Sequence, residues 1–496
     1  TPVSSTDGSI TWTATFMPTA DTEDATNVIS VNKAGVIDVA GNTGTGTTNS
    51  PNYAIDTILP SIVSVVMSDT ALQIGDTSTL TVTLSEAATG FTADDVVVGS
   101  GIIDALAGGP TVYTATFTPT AGVENTTNVV TVGTAWTDIA GNAPLAGASS
   151  LNYTVDTKAP TAAISYSDPD ALVKAGDLLT ITADFSEPLL DSPVVQLAIS
   201  GSNTQVAVAM TKVTTTQYTY VHTVGAGDGA ATVALSVGTD AAGNVVASVP
   251  TSGATFTVDN TAPATPVIAS IAGDNYINNS EQAAVHVVGT AEANSIVSVT
   301  LTGGASVGPV VGTATGAGTF DITLDTTILT DSTITPSVTA TDAAGNISAT
   351  TAVPTAIKDV IAPTVSSITT KDANTNGSVE TATIVFSENV KDSTFSAGTF
   401  SIGGTVATTF TSGTSDDATV DVSHGGIAGT DAKTVAYTPG SATDLAGNPL
   451  AVFSQTSTDG AGPVMISAKT VSTTRIDTLW SEVIDGATVN DSGTEF

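Results

Sequence analysis

The chain of 496 residues contains no cysteine, only 10 Lys plus Arg against 47 Asp plus Glu, and 5% aromatic residues. Without cysteine there is no disulfide scaffold, thiol nucleophile or thiolate metal site, so any metal chemistry must rest on oxygen ligands. Ten scattered cations cannot neutralise a phosphate backbone, and a net charge of -37 excludes nucleic acid and anionic membrane surfaces as partners. No run approaches the eighteen or so consecutive apolar residues of a membrane-spanning helix, so no membrane insertion is expected. The first residues, Thr1 to Ser5, show neither the basic nor the apolar region of a secretory leader. That lack does not point to the cytoplasm, because the chain is expected to start and stop inside domains. What is present is a hydrophobic fraction of 41%, too high for a disordered acidic chain, so the acids sit on a folded protein.

Internal repeats dominate the pattern. The pentapeptide Asp-x-Ala-Gly-Asn starts at Asp38, Asp138, Asp240, Asp342 and Asp444, in steps of 100, 102, 102 and 102. A second marker, Asp-x-x-x-Pro, starts at Asp56, Asp156, Asp259, Asp359 and Asp459. A third, Ser-Glu, places Glu86, Glu187, Glu388 and Glu482 after apolar-alternating runs, and the fourth unit offers Glu292 after Ala291 instead.

Between the markers, segments such as Leu80 to Leu84, Tyr113 to Phe117 and Ile384 to Phe386 carry the alternation and the β-branched or aromatic residues of half-buried strands. Gly, Asn, Asp, Ser and Pro punctuate them every 8 to 12 residues, and no long helical period appears. An all-β unit of about 100 residues with about seven short strands has the size and rhythm of an immunoglobulin-like sandwich. The expected architecture is a series of tandem immunoglobulin-like β-sandwiches arranged as an elongated rod.

Boundaries are set at the Asp-x-x-x-Pro marker, because proline ends a strand and stiffens a short connection. Four complete units are expected at residues 57–156, 157–259, 260–359 and 360–459. Residues 1–56 match only the C-terminal half of a unit, since Trp12 to Ala20 aligns with Tyr113 to Ala121, and 460–496 match only an N-terminal part. Half a sandwich cannot bury both sheets, so the chain reads as a window on a longer repeat protein.

The residues that carry a family resemblance are Leu84-Ser85-Glu86, Gly90 to Val96, Tyr113 to Pro119, Thr137 to Asn142 and Tyr153 to Thr157. They resemble the tandem bacterial immunoglobulin-like repeats of large secreted adhesins and cell-surface layer proteins. The fourth unit, with Val288 to Asn294 and Ala340 to Asn346, resembles a divergent subtype of the same kind. The resemblance implies an extracellular, cell-surface, modular and non-catalytic protein, of a kind that often binds calcium between domains.

In such a sandwich the start of the first strand, the loop after the second strand and the loop between the last two strands lie at one end. The linker Asp, the Glu after Ser and the pentapeptide loop then converge at each domain junction. Hard oxygen donors gathered this way suit calcium, which takes six to eight oxygens at about 2.3 to 2.6 Å. The candidate sets are Asp56, Glu86, Asp138 and Asn142; Asp156, Glu187, Asp240 and Asn244; Asp259, Glu292, Asp342 and Asn346; and Asp359, Glu388, Asp444 and Asn448. Asp459 and Glu482 belong to a fifth, truncated set, and Asp38 with Asn42 to a missing start; Glu281 competes with Glu292 as a ligand in the divergent unit. The alternative is plain turn chemistry, in which Asp and Asn bond their own backbone and the linker is merely stiff. Turn chemistry accounts for the Gly and the Asn, but it does not require Asp at the markers or Glu after the strand.

Catalysis finds no footing, because His222, His286 and His424 occupy unrelated positions in their units and share no repeated Ser or Asp partner. The expected function is a calcium-rigidified stalk of a large bacterial adhesin, its partners being calcium ions and neighbouring immunoglobulin-like domains. The alternative is a structural subunit of a surface layer or extracellular filament, in which copies pack sideways through interfaces of roughly 1,200 Å² or more.

Overall fold

A computed structural model describes residues 3–5, 10–473 and 475–485. The described residues form short strands and a few 3-10 turns with no α-helix, and no helix is long and apolar enough to cross a membrane. The chain divides into two compact units, Thr1–Asp259 and Asn260–Phe496.

The strand Ser78–Leu84 in the first unit shows how sequence becomes sheet. Its alternate residues Leu80, Val82 and Leu84 are buried while Thr79 is exposed, which is the two-residue period of a half-buried strand. It pairs on one side with Ile62–Met67 and on the other with Val112–Pro119, which in turn pairs with Gly101–Ile103. The facing layer is built from Val96–Val97, Thr131–Val132 and Ala148–Ser149, with Glu124–Asn128, Tyr153–Asp156 and Ala71–Leu72. Between the layers lie Phe117, Trp136 and Tyr153, the first and last in edge-to-face contact at 5.3 Å. Both polar handles are satisfied, since the Tyr153 hydroxyl donates to the Gly99 carbonyl at 2.6 Å and Trp136 Nε1 donates to the Gly133 carbonyl at 3.1 Å.

In the same unit a second sandwich joins Ala162–Tyr166, Leu178–Phe185 and Gln217–Thr223 to a facing sheet ordered Leu172–Val173, Thr255–Val258, Gly229–Ser236, Gln196–Gly201 and Gln205–Ala209. Its separate core includes Leu179, Ile181, Leu197, Leu235 and Phe256. Residues 10–56 contribute only small two-stranded pairings, such as Glu23–Asn27 with Tyr53–Asp56, and have no buried core among the described residues.

The second unit repeats the plan twice. One core gathers Ile271, Val287, Val299, Leu301 and Ile334 between sheets containing Val285–Thr290 and Ile296–Gly303. The other gathers Ile384, Val420, Phe400 and Tyr437 between sheets containing Ser378–Phe386 and Phe400–Ile402. A hairpin, Met465–Ser472 with Arg475–Trp480, follows. In three of the sandwiches a short early strand lies parallel to the last: Ala71–Leu72 beside Tyr153–Asp156, Leu172–Val173 beside Thr255–Val258, and Tyr276–Ile277 beside Ala356–Lys358. In the fourth the longer first strand Val365–Lys371 lies parallel to Thr458–Asp459.

Candidate metal centres at the domain junctions

The Asp-x-Ala-Gly-Asn loop is a closed turn with the same bonds each time. In the best-packed copies Asn142, Asn244 and Asn448 each donate a backbone N–H to Oδ1 of their own Asp at 2.8, 2.9 and 2.9 Å, and the side-chain amide to Oδ2 at 2.7, 2.9 and 2.8 Å. Asp342 with Asn346 and Asp38 with Asn42 close in the same way. The glycine is required because its φ lies between +86° and +102° in the five copies, a region closed to residues with a Cβ.

The linker Asp is held by its own turn, in which Oδ1 accepts the N–H two residues on: Ile58 for Asp56, Lys158 for Asp156, Ile361 for Asp359 and Ala461 for Asp459. The serine of Ser-Glu positions the third acid. Oγ of Ser85, Ser186, Ser387 and Ser481 accepts the N–H of the residue just after the linker proline, at 2.8, 3.1, 3.0 and 2.8 Å. The serine N–H bonds the carbonyl of that same residue, so the linker is stapled to the strand end beside the Glu.

These three devices bring three carboxylates together at three places. Asp56 with Glu86 and Asp138, Asp156 with Glu187 and Asp240, and Asp359 with Glu388 and Asp444 each offer oxygens within 4.8 Å of one another. The loop Asp is buried in each set, at 1% exposure, and the other two acids are half-buried. The Asn members contribute differently: the side-chain amides of Asn142, Asn244 and Asn448 donate to the carbonyls of Asp56, Asp156 and Asp359 at 3.1, 3.0 and 2.8 Å.

Electrostatics mark the Glu as the strained member. Burial raises the carboxyl of Glu86, and the charges of Asp138 and Asp56 add to it; burial with Asp240 and Asp156 does the same to Glu187. Glu388 is pushed up to about 7, by burial first, then by the charge of Asp359 and a shared hydrogen bond with it, then by Asp444 and Asp331. An open cleft of about 450 Å³ lined by Asp331, Ser332, Asp359, Ser387 and Glu388 adjoins this cluster. For Asp138, burial opposes ionisation, but the bonds from Asn142, Gly141 and Ala140 outweigh it and hold the carboxyl below its ordinary value.

The residues fit a hard cation by their donor set, and Glu187 supports the fit because its Oε1 is buried without a hydrogen-bond partner. Asp459 and Glu482 also face each other. Burial raises Glu482, a bond from Thr430 opposes the rise, and Asp459 adds to it, while Glu482 Oε1 is likewise buried and unpartnered.

The divergent set differs. Glu292 is exposed, its carbonyl accepting the N–H and Oγ of Ser295 in a turn, and Ala291 before it offers no hydroxyl staple. Asp259 closes the first unit, whereas Glu292, Asp342 and Asn346 belong to the second. Glu281 has another task, with Oε2 accepting the Asn278 N–H at 3.3 Å in a tight turn. Among the histidines, His222 and His424 are buried with an unpartnered Nε2, and His286 is exposed beside Asp321 at 2.8 Å.

A family model described as a bacterial Ig-like domain matches residues 1–55 and 56–155, and another described as a bacterial Ig domain matches 262–356. Together they cover half of the chain. No curated protein matches the sequence. Among solved structures, a tetra-tandem repeat from the extending region of a large adhesion protein is 19% identical with a TM-score of 0.28, covering 80% of this chain and 97% of that one. Fibronectin(III)-like modules of Clostridium thermocellum CbhA are 16% identical with a TM-score of 0.24, covering 40% and 93%. Chicken CNTN1 FN1-FN3 domains are 12% identical with a TM-score of 0.23, covering 60% and 98%.

Proposed function

The chain belongs to the bacterial immunoglobulin-like repeat proteins, and on that premise we propose that it is a non-catalytic, extracellular stalk segment of a large surface adhesin, stiffened by calcium at its domain junctions. The carrying observation is the recurrence of one carboxylate triad, linker Asp with strand-end Glu and loop Asp, at Asp56, Asp156 and Asp359. A single active site would occur once, whereas a spacer reuses one kind of joint along its length.

Three carboxylates within 4.8 Å repel one another, by several kcal/mol for roughly unit charges at an effective dielectric near 20. The linker Asp belongs to the connection and the other two acids to the following domain, so this repulsion acts to push the connection away from the domain. Calcium, when bound, supplies shared ligation by all three acids. Asp56, Asp156 and Asp359 would tie the linker to it, Glu86, Glu187 and Glu388 the strand end, and Asp138, Asp240 and Asp444 the loop. Sites of the extracellular kind bind at about 10⁻⁴ to 10⁻³ M, so calcium would occupy the joint in external fluids and leave it at cytosolic calcium.

Melting the chain in chelator and in millimolar calcium tests the reading. Calcium raises the transition temperature if it holds, and superimposable melts, with no heat of binding by calorimetry, would sink it. Electron microscopy distinguishes a stalk from a lattice-forming subunit, since separate particles support the former and ordered lateral arrays the latter.

A further inference from the structure

At two junctions, one in each unit, the asparagine of the pentapeptide loop reaches beyond its own domain. Asn244 Oδ1 accepts the backbone N–H of Ile74 at 2.8 Å, and Asn448 Oδ1 accepts that of Asn279 at 2.9 Å. Both asparagines are 2% exposed. Each amide therefore joins three segments: its own Asp and the linker carbonyl through Nδ2, and the preceding domain through Oδ1.

The receiving element is a tight turn at the tip of the preceding domain. In the first unit Asp76 Oδ2 accepts the Gln73 N–H at 3.1 Å, and the Asp76 N–H returns to the Gln73 carbonyl at 3.2 Å. The second unit builds the same turn with Glu281 on Asn278, at 3.3 and 3.2 Å. Asp177 on Lys174 makes a third, at 3.0 and 3.2 Å. An acid three residues on thus closes the turn and leaves the intervening N–H, of Ile74 or Asn279, directed outward. Side contacts complete the fit: Asn278 Nδ2 donates to the Ala446 carbonyl at 3.1 Å, and a Cβ on Gly243 would collide with Gln73 Oε1.

We propose that this tip turn is a receptor for the Asp-x-Ala-Gly-Asn loop of the domain that follows, and that Asn244 and Asn448 are positioning residues that set the direction of the joint with or without metal. The proposal deepens the spacer reading and rests on it, but it assigns direction to a neutral amide rather than to the carboxylates. An uncharged donor and acceptor pair does not depend on an ion, and its acid-closed turn lies outside the carboxylate triad.

The chain lacks cysteine, so Thr116→Cys with Val206→Cys, both at exposed positions, gives one spin-label pair across the joint between 57–156 and 157–259. Pulsed electron resonance then reads the distance distribution in chelator and in calcium. Asp76→Ala touches neither linker nor triad, and together with Asn244→Ala it keeps the test open if the loop variant folds poorly. Both variants should raise the population outside the main distance peak by roughly fivefold in either buffer, the shift expected from losing one hydrogen bond. An unchanged distribution for Asp76→Ala in both buffers would overturn the proposal. If chelator leaves the wild type unchanged while Asp76→Ala broadens it, the calcium reading fails and the latch stands.

Discussion

The carboxyl groups of Glu388 and Asp359 meet closely enough to share a hydrogen bond, and Glu388 holds its proton up to about pH 7. A bare joint at this position is therefore stabilised by a proton in the place that a cation would take.

The pH dependence follows from the raised value. The folded chain binds this proton more tightly than the unfolded chain, whose Glu titrates near its ordinary value of 4.5. Its stabilisation is complete below that value and is lost as pH rises through about 7. In chelator, the melting temperature of the 360–459 domain should fall between about pH 5 and about pH 8, and calcium should flatten that fall. Calorimetry at about pH 6, in buffers of different ionisation heat, should show proton release on calcium binding.

Neutralising the Glu separates repulsion from ligation. Glu388→Gln should raise the melting temperature in chelator at neutral to alkaline pH and abolish the calcium-induced gain of its own domain. Glu187→Gln should act in the same direction on 157–259. If either variant keeps the full calcium response, the Glu is not a ligand there.

The serine staple is testable on its own. Ser186→Ala or Ser387→Ala leaves the N–H of Thr161 or Thr364 without its hydroxyl partner. The expected loss is about 0.5 to 1.5 kcal/mol by denaturant unfolding, with an unchanged slope.

Two loop glycines make a contrasting pair. Gly141→Ala has open space around its new Cβ but a φ of +95°, so it should cost about 1 to 3 kcal/mol through backbone strain alone. Gly243→Ala, at +102°, also brings its Cβ onto Oε1 of Gln73 in the preceding domain, so the end of that side chain must move at the tip turn. Both should melt early, and only Gly243→Ala should also widen the spin-label distribution across its joint.

In the core, Phe117 is fully buried against Tyr153, and Phe117→Ala should destabilise 57–156 by about 3 to 5 kcal/mol. Differential calorimetry should show that transition shift while those of the second unit stay in place.

Much of this was legible because the turns impose strict local demands. Glycine at a positive φ after Ala140 or Ala446, and alternation from Ser78 to Leu84, leave marks that any reader of the chain can count. Convergence of Asp56, Glu86 and Asp138 follows from loops that share one end of a sandwich. The latch was not legible, because its donor is the backbone N–H of Ile74, and a backbone group has no residue signature. A trace of it existed in Asp76, Asp177 and Glu281, acids that recur in three successive sandwiches shortly before Ser78–Leu84, Leu178–Phe185 and Val285–Thr290. Serine was visible in Ser-Glu, but only as a marker; its staple explains why Glu292, after Ala291, is exposed.

The parallel pairing of a short early strand with the last strand, made in three of the sandwiches, has a mechanical meaning. Tension along the chain draws Ala71–Leu72 toward the N-terminus and Tyr153–Asp156 toward the C-terminus, and the two lie side by side in the same direction. The load falls on their hydrogen bonds in shear, so the bonds must fail together rather than peel one at a time. A chain under drag or pull would therefore hold its sandwiches closed at forces that would unzip a hairpin of equal bond number.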